Sequence, residues 1–347
     1  MLTGMASNAI MAKARAKYGR CLEEQNFRDM AALTSVGEVA QYLKSRTYYS
    51  SALGSVKDSN IHRDRLEVLL RRFLMSEVLE LMHFERSIGS HLYECLLVRY
   101  EADELMRFMR YYRGGRAADY STSLPDELAA EMSVDFAGLA GARGAEDIVA
   151  AIDDRWLKSA MLNFFRGERA DDFTTLEAAV GKAVHSRQMQ VVRRYYHGRA
   201  ADEIMAVVNM RTELKDICHI IRAKRRFGTT PDTLRAQIVG AHSMLTARQT
   251  DAIIDAPTAD DAMRLLSKTP AGRLFEKYST RDIGLMTDRI MYNRFASRIR
   301  MSQIPAAVML YYVNIMEYEI SNITTIIEGV RYSLPSDRIM PLLILKQ

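Results

Sequence analysis

The sequence predicts an all-α protein of three similar helical units in a pseudo-threefold arrangement, and three observations predict it. Only 7 prolines and 18 glycines punctuate 347 residues, so breakers are rare among abundant Ala, Leu, Met, Arg and Glu. Strict period-2 alternation, the mark of half-buried strands, is scarce. Three sequence markers recur in the same order, at intervals of 104 to 114 residues.

The chain opens with an N-terminal helix, residues 1–25. Units follow at 26–134, 135–246 and 247–347. The first marker in each is a short helix with acids in its first turn: "GEVAQYLKSRTYY", "EDIVAAIDDRWL" and "DDAMRLLSKTP", centred on Val39, Ile148 and Ala262. An apolar residue follows four positions on, at Leu43, Ile152 and Leu266. Acids there complement the positive end of the helix dipole.

The second marker is an amphipathic helix headed by a carboxylate. "YEADELMRFMRYYRGG", "TELKDICHIIRAKRRFG" and "EYEISNITTIIEGVRYSL" superpose Glu101, Glu213 and Glu319, then Glu104, Asp216 and Asn322. The apolar stripes run in step: Leu105, Phe108, Met109; Ile217, Ile220, Ile221; Ile323, Ile326, Ile327. A carboxylate at the head of a core stripe calls for a reason, since a buried charge persists only when it is paired or hydrogen-bonded. Two readings follow. The glutamates accept hydrogen bonds where the helix meets a neighbour, or they form a ring of acids facing a central partner. The third marker is a proline-led helix start: "SLPDEL", "TTPDTL" and "SLPSDRI". Proline suits the first turn, where its missing N–H is not needed.

A period above 100 residues is too long for a solenoid, whose repeats run about 20–50 residues. Each unit is large enough for a small helical domain of its own.

Composition narrows the function. Charge is 48 basic against 43 acidic residues, a net of +5 spread over several helix faces. A nucleic-acid binder concentrates its bases in one stripe. The clusters "RAKRRF", "RQMQVVRRYY" and "YNRFASRIR" fit a solvated face whose Arg stems cover apolar area, an acidic protein partner, or nucleic acid. Three widely spaced cysteines, Cys21, Cys95 and Cys218, argue for a reducing compartment. The N-terminus lacks a signal-peptide core. The longest apolar run, "IPAAVMLYYVNIM", is short of the roughly 20 residues of a membrane span. A soluble, cytoplasmic chain is the expectation.

No phosphate-binding loop, nucleophile elbow or zinc-protease motif occurs in the sequence. The best metal candidate, His83, His91 and Cys95, lacks a recognisable ligand spacing, and ordinary helix residues are the simpler reading. No catalytic residue and no cofactor is expected. The chain reads as a shape-giving or interaction protein. A helical scaffold or nucleic-acid-binding adaptor is the alternative.

The quoted segments resemble a family. "NAIMAKARAKYGRCL" followed by "LTSVGEVAQYLKSRTYY", then "ELKDICHIIRAKRRF", then "MEYEISNITTIIEGVRYSLP", are similar in order and spacing to the C-type subunit of the V/A-type (vacuolar/archaeal-type) ATPases, counterpart of the d-type subunit of vacuolar ATPases. The resemblance implies three helical domains in a funnel, seated at the cytoplasmic face of the cell membrane as a peripheral component of the complex. It implies central shaft subunits and a membrane rotor ring as partners, with torque passed between them. One departure stands out: 21 residues separate Glu104 from Pro125, against 15 from Asp216 to Pro231 and 13 from Asn322 to Pro335. That insertion breaks the symmetry, so the partner-facing surface is expected to be specialised in the first unit.

Overall fold

The computed structural model describes residues 2–54, 61–87, 89–122, 124–167, 172–278 and 280–346, with side chains from residue 8 onward. Among them every extended element is absent except one antiparallel bridge between Val134 and Ile152, and the chain is all-α. The carboxylate-headed segments lie in the long helices Leu92–Arg113, Gly198–Phe227 and Pro305–Arg331. All nine stripe residues of these helices are buried. So are Val39, Ile148, Ala262, Leu43, Ile152 and Leu266 of the first marker.

Local chemistry sets where helices begin. Ser35 Oγ accepts from the Glu38 N–H at 3.2 Å, and Thr258 Oγ1 from the Asp261 N–H at 3.1 Å, which caps the helices Val36–Arg46 and Ala259–Ser267. The second copy differs. Gly144 supplies no side-chain cap, and the helix Ala145–Ala150 stops before Ile152. Here the backbone turns to pair with the segment before it: Asp135 N–H donates to Ala151 O at 2.8 Å and Asp153 N–H to Ser133 O at 2.7 Å. Asp154 then starts the next helix by accepting from the Trp156 and Leu157 N–H groups, both at 2.9 Å.

Of the proline-led starts, Pro231 opens the helix Pro231–Gln237 behind the Thr230 cap, and Pro335 caps Ser336–Ile339. Pro125 immediately precedes Asp126–Ala129, while Ser123 lies outside the described residues.

The chain divides into two compact units. One comprises Met1–Gly89, Ser123–Pro125 and Asp288–Gln347. Its axis is the helix Pro305–Arg331, packed by Leu2–Tyr18 and Arg63–Ser87. Every residue from Ala306 to Met316 is buried. A helix apolar on all sides belongs inside a protein or a membrane. This one is inside, which accounts for the apolar run, and no described helix is long and apolar enough to cross a membrane. Lys17, only 7% exposed, bridges Glu77 and Glu80 at 2.7 Å each, and Tyr312 O–H donates to Glu77 at 2.9 Å.

The other unit comprises Ser90–Thr122 and Asp126–Thr287. Phe173–Tyr195 packs there against Leu92–Arg113, Arg155–Arg166 and Gly198–Phe227. Arg187 reaches Glu94 at 2.9 Å and Asp154 at 3.7 Å, tying its own helix to two helix starts. Gly228 ends the longest helix at φ 58°, a left-handed conformation that glycine adopts without a Cβ clash.

Gly329 of the segment "IIEGVRY" has a steric duty. A Cβ there meets Ile339 Cγ1 at 2.6 Å and Cδ1 at 2.7 Å, and Ile339 is fully buried. Gly329→Ala is therefore expected to cost about 1–3 kcal/mol through overpacking. Ile326→Asp, which drives an unpaired carboxylate into a sealed stripe, should cost about 3 kcal/mol or more. Urea unfolding followed by circular dichroism measures both. A Gly329→Ala midpoint equal to wild type removes the close-approach explanation.

Candidate functional site

The six repeated polar positions are all buried: Glu101 4% exposed, Glu104 0%, Glu213 2%, Asp216 8%, Glu319 4% and Asn322 2%. Burial strips a carboxylate of water, so each must find its donors in the chain. The donors are chiefly backbone N–H groups.

Glu319 uses both oxygens. Oε2 accepts from the Leu22 N–H at 2.7 Å. Oε1 accepts from the Tyr49 O–H at 2.8 Å and from the Tyr48 O–H. Glu213 accepts three consecutive N–H groups: Ser243 at 3.2 Å, Met244 at 2.7 Å and Leu245 at 2.8 Å. Glu101 accepts from the Ser133 N–H. Each receiving segment lies just ahead of a helix: Glu24–Ala31 after Leu22, Phe136–Leu139 after Ser133, Ala247–Asp255 after Leu245.

The second position varies with the groups that face it. Asp216 accepts two N–H groups, Val239 at 3.1 Å and Gly240 at 2.9 Å, and a carboxylate supplies two acceptors. Asn322 meets both backbone groups of one residue: Ile344 N–H donates to Oδ1 at 2.7 Å, and Nδ2 donates to Ile344 O at 2.8 Å. That exchange requires an amide, which carries donor and acceptor together. Glu104 instead receives the Arg107 guanidinium at 2.6 and 3.0 Å and the Tyr120 O–H at 2.9 Å. Tyr120, buried at 4%, and Ser121, whose carbonyl also accepts from Arg107, belong to the inserted loop. The insertion thus brings its own partners for the acid.

Burial pushes the carboxyls of Glu319, Glu213, Asp216 and Glu101 above their ordinary range, and the hydrogen bonds just described pull the other way. Burial first, and then Glu319, raises the Tyr48 and Tyr49 hydroxyls, which stay protonated and serve as donors. Cys21, beside the same carboxyl, is raised by burial too and is no ready thiolate.

Above the Glu319 junction lies a cavity of about 420 Å³. Leu22 and Tyr48 line it and also bond Glu319. Arg20, Lys44 and Arg46 stand on its wall. The Arg20 guanidinium lies 5.8 Å over the Tyr48 ring, and that of Arg46 lies 5.5 Å over Tyr42. Among the described residues no carboxylate lies within 4.0 Å of either guanidinium.

The metal candidates fall elsewhere. His83 is exposed on the helix Arg63–Ser87. His91 sits ahead of its helix, stacked on Tyr195 at 3.7 Å with Nδ1 3.0 Å from Glu94. Cys95 is buried, with Sγ 3.8 Å from Gln188 O. His219 meets Gln237 at 3.1 Å. No group of three or more metal-ligating side chains forms among the described residues. The tyrosine pair of Glu319 is not legible in the sequence. "SRTYY" is visible as a motif, but nothing local links it to a glutamate 270 residues away.

A family model described as ATP synthase (C/AC39) subunit matches residues 10–342. A search of the curated proteins finds no match.

Two variants separate what the oxygens of Glu319 do. In Glu319→Gln the amide oxygen can keep the Leu22 N–H while the tyrosine hydroxyls rotate to accept from the amide nitrogen. A loss of about 1 kcal/mol is expected. Glu319→Leu strands all three donors and should cost about 3 kcal/mol or more. The folded carboxyl holds its proton to higher pH than the unfolded one. Its contribution is therefore full below about pH 4.3 and fades as pH rises through the folded value. The melting-temperature gap between wild type and Glu319→Gln should accordingly be wider at about pH 5 than at about pH 8. A gap that widens toward pH 8 reverses the assignment.

Proposed function

We propose, from the premise that this chain belongs to the ATP synthase (C/AC39) subunit family, that it is the non-catalytic central-stalk adaptor of a rotary V/A-type ATPase. In this reading it links the central shaft subunits to the membrane rotor ring at the cytoplasmic face of the membrane. It turns with both and passes torque between ATP chemistry and ion translocation. The observation that carries the reading is the family match over residues 10–342. Two features of the chain support it. The acids that could serve acid–base chemistry are buried and held by the protein's own donors, which suits a rigid part better than a reacting site. The carboxylate junctions fasten separate segments, 32 residues away at Glu101 and from Glu213 to Leu245, and 297 away at Glu319, which resists twisting.

The three-unit organisation belongs to the same proposal. Glu101 and Glu213 bond the backbone just ahead of residues 135 and 247, where the second and third units begin. Glu319 bonds Leu22, just ahead of the first unit at residue 26. Each unit's glutamate thus holds the backbone that leads into the next unit, and the last holds the backbone that leads into the first. A cyclic order of three is what a pseudo-threefold body requires. Under this reading the six polar positions are internal fasteners, and the partner-facing surface lies elsewhere.

Reconstitution tests the adaptor role. Omitting the chain from a purified assembly should leave ATP hydrolysis by the catalytic head and abolish ATP-driven ion pumping. Adding it back should restore coupling. Pumping undiminished in its absence rules the role out. The isolated chain should show no heat of binding with Mg-ATP by titration calorimetry, because no phosphate cradle is present in the sequence. Micromolar binding contradicts the non-catalytic reading.

A further inference from the structure

The cavity above the Glu319 junction is not explained by the junction. Arg20 and Arg46 line this cavity, their guanidinium carbons 5.8 Å over the Tyr48 ring and 5.5 Å over the Tyr42 ring, each without a carboxylate within ion-pairing distance among the described residues. A cation–π contact leaves the guanidinium N–H fork available, and that fork matches a carboxylate two bonds to two. A simpler account makes Lys44 and Arg46 complements to the negative end of the helix Val36–Arg46, in whose last turn they lie. Arg46, however, makes no hydrogen bond to those carbonyls and turns onto Tyr42 instead, and Arg20 lies beyond its own helix, which ends at Tyr18. Dipole compensation leaves both arginines unaccounted for.

We propose that this cavity is a docking socket for an acidic polypeptide segment of a partner chain, with Arg20 and Arg46 as its carboxylate anchors. The volume of about 420 Å³ is that of a ligand-sized cleft. Arg20 and Arg46 are exposed side chains of its lining, which also includes the half-buried Leu22 and Tyr48. A compact phosphate is normally held by a nest of backbone N–H groups at a helix start. This wall offers instead the carbonyl end of a helix, which disfavours a small bare anion entering deeply. An extended acidic segment meets the guanidinium forks with its carboxylates and Leu22 and Tyr48 with its aliphatic stems. Because Leu22 and Tyr48 belong to both cavity and junction, an occupant leans directly on the contact that fastens Glu319. The socket is defined by its own chemistry and does not depend on the adaptor reading.

A fluorescein-labelled hexaglutamate peptide, titrated with the full chain and followed by anisotropy at about 50 mM NaCl, tests the proposal. Wild type is expected to bind, and the double variant R20Q/R46Q to bind at least about tenfold more weakly with an unchanged melting temperature. R20K/R46K keeps the charge and loses the forks, so it should fall between the two and carries the test if the glutamine pair folds poorly. R225Q/R226Q removes two exposed arginines of another helix end and should bind as wild type does. Inorganic phosphate, at equal charge, should displace the peptide far less well than unlabelled hexaglutamate. No binding by wild type overturns the proposal. An equal loss in R225Q/R226Q does so by showing a non-specific charge effect. Displacement by phosphate as effective as by peptide does so by reassigning the cavity to a small anion.

Discussion

A buried carboxylate that accepts backbone N–H groups from a distant segment is the interaction on which the rest of this structure depends. A helix start exposes N–H groups with no partner of their own. Here local side chains, Asn26, Asp135 and the Thr246–Gln249 pair, serve the helix starts, and a glutamate from a long helix takes the N–H groups of the segment just ahead. At Glu213 three N–H groups converge on one carboxylate. At Glu319 one N–H and two tyrosine hydroxyls do the same work. Removing the acid leaves buried donors unmet, and that penalty exceeds the net worth of the bonds themselves. Such a contact acts as a constraint: it permits one arrangement and penalises the others.

The second polar position shows how chemistry follows the geometry it must satisfy. Two N–H groups face Asp216, and a carboxylate answers them. One N–H and one carbonyl face Asn322, and an amide answers those. At Glu104 the longer loop brings Tyr120 inside, and an arginine one turn along the helix offsets the remaining charge. The asymmetry of the first repeat is thus a change of partner around a retained acid. Its effect reaches the interior, through Tyr120, as much as the surface.

These features suit a part that carries load. The all-round buried stretch from Ala306 to Met316 anchors one compact unit, and the Lys17 bridge to Glu77 and Glu80 locks the first helix onto it. The chain belongs to the ATP synthase (C/AC39) subunit family, and the adaptor role proposed for it calls for such stiffness. Surface chemistry is left to side chains outside the junctions. Arg20 and Arg46, each over a tyrosine ring and without an ion-pair partner among the described residues, are the clearest of these.

The sequence by itself determined the fold class, the three apolar stripes and the recurrence of a carboxylate at the head of each. All of these follow from composition and a 3.6-residue period, which are local properties of a chain. It also exposed the oddity of Glu319, because a charge on a core face is visible without any coordinates. Helix ends were less legible: the helix expected to include Ile152 stops at Ala150, where backbone pairing with Ser133 and Asp135 overrides local propensity. Tertiary structure alone decided who satisfies Glu319. Leu22, Tyr48 and Tyr49 stand 297, 271 and 270 residues away, and no periodicity links them. The cavity beside them is likewise a product of how the segments close on one another. Periodicity reports which face of a helix is buried, whereas the identity of its neighbour depends on long-range closure, for which a single sequence carries no register.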